Sequence, residues 1–203
     1  MKRMSPARAI AYGLPGLATL FTFTMFTTYG LYFFTNIVGL SGKFAGLIMT
    51  IGTLWDAVTD PLVGIISDNR DPRKGRRRPF LLVCAIPFGI VTWLLFTAWD
   101  FVEIQQKIYF MIVALLFYTF QTYIDVPYTS LSGEVTDNYD LRSKLATIRT
   151  FWAIIGVAIG GGIMAYTDFL EPVVGGSRQA WSVCFAMVGV FEKGKADVKF
   201  TAR

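Results

Sequence analysis

The sequence has 203 residues and little charge: 16% are Asp, Glu, Lys or Arg, against about 25% in a typical soluble domain. It contains no histidine, which removes the commonest metal ligand and proton shuttle. The only two cysteines, Cys84 and Cys184, lie in apolar stretches, so we expect buried hydrophobic roles and no disulfide. No nucleophile–base pair or metal-ligand set is recognisable in the sequence. We therefore expect no enzyme activity.

Long apolar runs separate the few charges. Residues 9–42, 79–99, 108–124 and 150–167 carry no charge, and these runs are 34, 21, 17 and 18 residues long. A helix needs about 17–25 mostly apolar residues to cross the hydrocarbon core. The first run is too long for the apolar part of a signal peptide, so we expect it to be retained. The sequence predicts an all-α, polytopic protein of the lipid bilayer.

We predict six membrane-spanning helices, at about 12–40, 44–67, 79–99, 107–131, 147–167 and 178–191. Residues 1–191 would form this six-span bundle. Residues 192–203 would form a polar cytoplasmic tail, of the kind that a truncation or a frameshift leaves. The sixth helix is short, because only 13 uncharged residues follow Arg178.

The distribution of basic residues predicts the orientation. Of the 19 Lys and Arg, all but Lys43, Lys107 and Arg178 fall on the side of the membrane that holds the N-terminus. Such an excess marks the cytoplasmic side. We therefore expect a plasma (inner) membrane protein with both termini in the cytoplasm. The basic stretch 73–78 is then a topology signal, and the net charge of +5 implies no nucleic-acid partner.

Three aspartates lie inside predicted spans, where an acidic side chain costs roughly 2.5–3.5 kcal/mol and is functional by default. Asp56 and Asp60 are four residues apart and share one helix face, where their charges repel unless a cation sits between them. This arrangement suits Na⁺, Li⁺ or H⁺. Asp125 lies at a depth similar to that of Asp60, and the two could meet across a cavity. The alternative is that the aspartates are ion-paired for packing, but no basic residue lies deep in a span.

Two prolines and a glycine pair are also informative. Pro61 and Pro127 closely follow these aspartates and remove a helical hydrogen bond. Such breaks in a span can supply carbonyl ligands to a coupling ion, although simple kinking is an equal alternative. Gly156 and Gly160 form a small-residue face that predicts close helix packing.

The motifs resemble those of one family of transporters. The segment WDAVTDPLVG (55–64), with Asp68 and then GRRRPF (75–80), resembles the glycoside–pentoside–hexuronide:cation symporters of the major facilitator superfamily, the family of melibiose permease. DVPY (125–128) followed by SL (130–131) resembles their fourth-span motif, and Arg149 falls at their fifth-span arginine. Order and spacing agree over residues 10–190. The resemblance implies a six-helix bundle of major-facilitator type, half of a twelve-span fold, which takes up a sugar or glycoside by alternating access.

The resemblance also implies residue roles. The coupling ion, Na⁺ or H⁺, would be the only ion bound, and no other metal or cofactor is implied. Its site would comprise Asp56, Thr59, Asp60, Thr122 and Asp125. The solute would contact Asp125 and Arg149. Tyr123 and Tyr128 are the best candidates among the aromatic residues for stacking on a sugar. The alternative for Arg149 is a residue that snorkels at the cytoplasmic helix end.

The loop between the second and third spans would hold the bundles in one access state. Its residues would be Gly64, Asp68, Gly75, Arg76, Arg77 and Arg78. A carboxylate at a helix C-terminus opposes the helix dipole, so Asp68 is expected to pair with these arginines. The alternative is a solvated loop that only sets topology.

Departures from the family pattern leave three interpretations open. Residues 12–20 lack the acid that galactoside-binding members carry, and Thr129 replaces an aromatic residue, which argues against a galactoside. The chain holds one bundle where the family has two. It is a fragment of a symporter, a remnant that does not transport, or a half-size transporter acting as a self-dimer or with a second half.

Overall fold

The computed structural model of the chain describes residues 6–69, 78–135 and 139–186. Over these ranges every regular element is a helix, and no strand is present. The elements are α1 (Pro6–Tyr32), a π-helical turn (Phe33–Ile37), α2 (Gly42–Asp68), α3 (Arg78–Leu95), α4 (Glu103–Val135), α5 (Tyr139–Gly161), α6 (Ile163–Val174) and α7, described over 177–186. The all-α prediction is confirmed.

The first helical segment ends before its predicted limit at residue 40. In its last turn the Val38 N–H donates to the Phe33 carbonyl at 3.0 Å, the longer spacing of a π-helix. Gly39 then adopts φ +86°, a conformation that favours glycine. The Ser41 side chain accepts from the Phe44 N–H and caps α2. Hydropathy could not locate this end, because the connecting residues are themselves apolar.

The predicted fifth span, 147–167, is wrong in its limits, because the chain divides there into α5 and α6. Gly162 forms the break. Its N–H donates to the Ile159 carbonyl at 3.1 Å, and its own carbonyl accepts from the Ala165 N–H at 3.1 Å, so three-residue spacing replaces four. α5 also begins well before residue 147, since polar residues form its first turns.

The third and fourth helices also differ from their predicted limits. α3 stops before residue 99, and the Tyr109 hydroxyl donates to the Leu94 carbonyl near this end at 2.9 Å. α4 begins earlier than predicted, where Glu103 in the first turn complements the helix dipole and pairs with Lys107 at 2.5 Å. Residues 187–203, which include the predicted tail, lie outside the described part of the chain.

The predicted glycine face packs α5 against α1. A β-carbon at Gly156 would lie 2.4 Å from the Leu17 carbonyl oxygen, and one at Gly160 would lie 3.1 Å from the Phe21 carbonyl oxygen. Only glycine allows two backbones to approach so closely. The Tyr29 hydroxyl donates to the Gly161 carbonyl across the same contact. The prediction of close packing at this face is confirmed.

Aromatic rings fill the core at one end of the bundle. Phe96 stacks on Phe185 with ring centres 3.7 Å apart, and Trp181 lies beside both. Fully buried phenylalanines surround this stack: Phe26, Phe33, Phe34, Phe88, Phe110 and Phe117. Cys84 and Cys184 belong to the same core as free thiols, as expected.

Two arrangements position the candidate site. α1 packs along α5, whereas α2 and α3 both pack along α4. In the described residues, two helical segments are long and apolar enough to cross a membrane by length and composition, Glu103–Thr129 and Ser143–Gly161. Cys84–Leu95 is a shorter apolar helix. The carboxylates of α2 lower the mean hydropathy of that helix.

Candidate functional site

The residues predicted to bind a cation meet where α2 packs on α4. The Thr122 hydroxyl donates to Asp56 Oδ1 at 2.7 Å, and Thr59 Oγ1 lies 3.4 Å from Thr122 Oγ1. Both threonines are buried, and Asp56 is half-buried. The Thr122 side chain also lies close to Asp60. We call these four residues, Asp56, Thr59, Asp60 and Thr122, the α2–α4 cluster.

Helix geometry explains this convergence. Asp56, Thr59 and Asp60 occupy positions i, i+3 and i+4 of α2, so their side chains share one face. Thr122 is close to the middle of α4, on the side that packs against α2. Carboxylate and hydroxyl oxygens are the ligands that hard cations prefer. The cluster therefore has the composition of a site for a small cation.

The Thr122 hydroxyl has two acceptors within reach. One is Asp56 Oδ1 at 2.7 Å, and the other is the Tyr118 carbonyl one turn earlier in α4, at 3.0 Å. A hydroxyl carries one proton and two lone pairs, and the proton rotates to suit its partners. Turning this proton toward the Tyr118 carbonyl would free the Asp56 carboxylate without moving either helix.

Asp125 has a different immediate partner. Its Oδ1 lies 4.0 Å from an Arg149 guanidinium nitrogen on α5, and both side chains are partly buried. Among the described residues, no three of the acidic, cysteine or histidine side chains gather closely enough to hold a metal ion. Asp125 is nevertheless close enough to Asp56 and Asp60 for their charges to interact. The expectation that no basic residue pairs with these aspartates is wrong for Asp125.

Arg149 lies over the aromatic ring of Tyr128. Its guanidinium carbon is 4.9 Å from the ring centre, and the ring is fully buried. A cation–π contact of this kind is worth about 0.5–2 kcal/mol. Because α5 begins at Tyr139, Arg149 is well inside the helix rather than at its end. A role of Arg149 in binding solute stays a prediction.

The other predicted site residues are less closely gathered. Tyr123 packs, partly buried, against the aromatic core, and its stacking role stays a prediction. Pro61 and Pro127 lie inside α2 and α4, which continue through them as helices. Neither span is therefore broken at its proline.

The predicted gating loop lies mostly outside the described residues. Gly64 is in α2, where a β-carbon would meet nothing within 4 Å. Asp68 ends α2 and Arg78 begins α3, but their side chains are not among those described. Gly75, Arg76 and Arg77 fall between the described ranges. The predicted pairing of Asp68 with the arginines therefore stays a prediction.

Sequence reasoning missed two contacts beside the α2–α4 cluster. Tyr118, one turn before Thr122, packs its ring into a notch at Gly52, one turn before Asp56. The equal four-residue offsets on the two helices place this contact one turn from the contact between Thr122 and Asp56. Trp55, which directly precedes Asp56, donates its indole N–H to the Thr119 hydroxyl at 2.9 Å.

These features define an all-helical integral membrane protein with carboxylates and hydroxyls gathered between its helices. The family model described as MFS/sugar transport protein matches residues 11–191. The chain belongs to this family, whose members are transporters rather than enzymes, and the resemblance to the glycoside–pentoside–hexuronide:cation symporters is confirmed.

Three relatives illustrate the similarity. YagG of Escherichia coli K12, named as a candidate glycoside/cation symporter, is 38% identical over 79% of this chain. The inner membrane symporter YicJ of the same strain is 30% identical over 84% of this chain. The isoprimeverose transporter of Lactiplantibacillus pentosus is 28% identical over 78% of it. These matches cover 35%, 36% and 33% of the relatives' own lengths, so the chain spans about a third of each.

Proposed function

We propose that this chain supplies the cation-coupling bundle of a symporter for a sugar or glycoside. The observation that carries the proposal is the α2–α4 cluster, with the Asp125–Arg149 pair beside it. Two carboxylates within a membrane helix are costly, and such residues usually line a site or a pathway for an ion or a substrate. Relatives named as glycoside/cation and inner membrane symporters support the same proposal.

Cation binding would use the alternative acceptor of Thr122. Without the ion, the Thr122 hydroxyl would donate to Asp56 Oδ1, the nearer acceptor at 2.7 Å. When Na⁺ binds, the proton turns to the Tyr118 carbonyl, and an oxygen lone pair of Thr122 faces the ion. Asp56 and Asp60 neutralise the ion, and Thr59 supplies a further oxygen. With H⁺ as the coupling ion, one of the two carboxylates takes the proton instead.

The solute would bind beside the cation, at Asp125 and Arg149. A carboxylate accepts from sugar hydroxyls and a guanidinium donates to them, so this pair can separate to hold a polyhydroxyl compound. Asp125 interacts with the charges of the α2–α4 cluster, so the cation would raise solute affinity. The solute must then raise cation affinity by the same factor.

We further propose that the chain lies in the inner membrane with both termini in the cytoplasm. Of its 19 basic residues, 16 lie on the side that holds the termini, which supports this orientation. The relative named as an inner membrane symporter supports the location.

A second candidate is a half-size transporter that works as a self-dimer or with another bundle. The supporting observation is Asp60, which is exposed on the surface of this bundle. A carboxylate facing lipid costs roughly 2.5–3.5 kcal/mol, and a second bundle or a water-filled cavity would remove this cost. Recovery of the tagged chain from native membranes in a cross-linked dimer, or with a separate second bundle, would favour this candidate.

The test is uptake of a labelled glycoside panel by cells expressing the chain, driven by an imposed Na⁺ or pH gradient. Asp56→Asn should abolish cation-stimulated uptake, because the cluster loses a charge. The matched control is Asp100→Asn, since Asp100 is exposed beyond α3 and pairs only with Arg178 at 2.6 Å in the described residues. Unchanged stimulation in Asp56→Asn would refute the cation site. If the chain alone is inactive, the same comparison is made with a relative's second bundle co-expressed.

A further inference from the structure

The Tyr118 ring of α4 packs directly against Gly52 of α2. A β-carbon at position 52 would lie 2.0, 2.5 and 2.9 Å from Cε2, Cδ2 and Cζ of the Tyr118 ring. Carbon atoms in ordinary contact are about 3.5–4.0 Å apart, so no residue other than glycine fits beside this ring. The ring therefore sits in a notch that only glycine provides.

The Tyr118 ring cannot turn away from that notch without disturbing the core. The residue is 3% exposed. Phe26 packs edge-on against it with centres 5.4 Å apart, and Phe117 lies on another side with centres 6.0 Å apart. Its hydroxyl lies close to Thr53 on α2. These contacts make the ring a fixed spacer between the two helices.

The spacer lies one helical turn from the α2–α4 cluster on both helices. Gly52 precedes Asp56 by four residues, and Tyr118 precedes Thr122 by four. The Tyr118 carbonyl is also the second acceptor for the Thr122 hydroxyl. The distance between helices at the notch therefore sets the 2.7 Å contact between Thr122 and Asp56.

We propose that Tyr118, seated against Gly52, is a positioning residue that sets the cation affinity of the α2–α4 cluster. This inference rests on the proposed function. Tyr118 does not bind the ion; it holds α2 and α4 at the spacing at which oxygens from both helices reach one ion. Increasing this spacing should weaken cation binding while leaving the Asp125–Arg149 contact, between α4 and α5, in place.

The first measurement is cation affinity of the purified full chain. Titrations with NaCl and LiCl, and proton release followed with a pH indicator, cover the possible ions. Gly52→Ala should bind the ion about tenfold more weakly, because the Thr122 oxygen no longer reaches the ion, a loss comparable to that of a hydrogen bond to a charged group. Gly46→Ala is the matched control on α2, since its β-carbon meets nothing within 4 Å. Tyr118→Phe keeps the ring and should stay within about threefold of wild type.

Rescue separates positioning from general damage to the fold. Tyr118→Leu added to Gly52→Ala removes the clashing ring and should recover most of the lost affinity. A Gly52→Ala protein with general damage to the fold would also lose solute affinity. Solute affinity measured without cation should be the same in wild type and Gly52→Ala.

The second measurement reports helix spacing without any cation. Cysteines at Thr59 and Thr122, whose hydroxyl oxygens are 3.4 Å apart, should form a disulfide rapidly in a chain whose native cysteines are replaced. A protease site between α2 and α3 shows whether the fragments stay joined. Gly52→Ala should slow cross-linking about tenfold, and the added Tyr118→Leu should restore it.

Each outcome is decisive. Slower cross-linking together with weaker cation binding, both restored by Tyr118→Leu, supports the inference. A wild-type chain that binds a cation, with Gly52→Ala equal to it in either measurement, overturns this inference and leaves the proposed function standing. A folded wild-type chain that binds no Na⁺, Li⁺ or H⁺ overturns the proposed cation site and the inference together.

Discussion

Substituting Gly156 by alanine tests how α1 and α5 are held together. The new β-carbon would lie 2.4 Å from the Leu17 carbonyl oxygen and 3.2 Å from two further backbone atoms of that residue. Backbone atoms cannot change rotamer, so the clash is relieved only if the helices separate by about 1 Å. Separation of two packed helices also loosens their neighbours along the whole contact.

The magnitude follows from two opposing effects. Overpacking of this kind costs about 1–3 kcal/mol. Replacing a helical glycine by alanine returns roughly 0.5–1 kcal/mol through chain entropy. The matched control is Gly161→Ala, because the β-carbon there meets nothing within 4 Å and only the gain remains. We therefore expect Gly156→Ala to be less stable than Gly161→Ala by about 1–3 kcal/mol.

The assay is reversible unfolding of the purified chain in mixed micelles, followed by circular dichroism as the denaturing detergent fraction rises. Uptake is measured in parallel, because α5 also carries Arg149 and its displacement should weaken solute affinity. If Gly156→Ala unfolds at the same detergent fraction as Gly161→Ala, the reasoning on the α1–α5 contact is refuted.

Three further expectations concern single contacts. Tyr128→Leu should raise the KM for solute two- to fivefold, because Arg149 loses a cation–π contact worth about 0.5–1 kcal/mol. Tyr128→Phe keeps the ring and should leave the KM unchanged. Equal KM values for Tyr128→Leu and wild type would contradict this. Trp55→Phe should lower the free energy of unfolding by about 1 kcal/mol, because the hydrogen bond to Thr119 is lost. A free energy of unfolding equal to that of wild type would show that this bond does not stabilise the fold. Arg178→Gln should change the free energy of unfolding by less than about 1 kcal/mol, because the ion pair of Arg178 with Asp100 is exposed. A larger loss in the same unfolding assay would contradict this.

Much of the candidate cation site could be predicted from sequence, because its order is local to each helix. Asp56 and Asp60 share a face by helical periodicity alone, and charge inside an apolar run marks function. The partner on α4, Thr122, followed from the family resemblance, and the 2.7 Å contact agrees with it. The glycine face of α5 followed from spacing alone.

Contacts between helices could not be predicted in the same way. The pairing of Asp125 with Arg149 depends on how α4 lies beside α5, which no periodicity within either helix reports. The notch at Gly52 was missed because α2 contains four glycines, and their spacing does not show which one faces a ring on α4. The helix limits were predicted wrongly for a related reason. Gly162 divides a run that is apolar on both sides, so hydropathy does not show the break.

The way the helices pair has a mechanical consequence. One packed unit contains α2, α3 and α4, and the other contains α1 and α5, which are joined backbone to backbone at the glycine face. Asp56 and Asp60 of α2 belong to the first unit. Arg149 belongs to the second unit, and its guanidinium lies 4.0 Å from Asp125 of the first. A long, partly solvated ion pair allows the two helices to shift, whereas the close backbone packing at the glycine face does not. We expect a shift of α4 on ion binding to reach Arg149 through its ion pair with Asp125, and to reach α1 through the contacts of Phe26 with Phe117 and Tyr118.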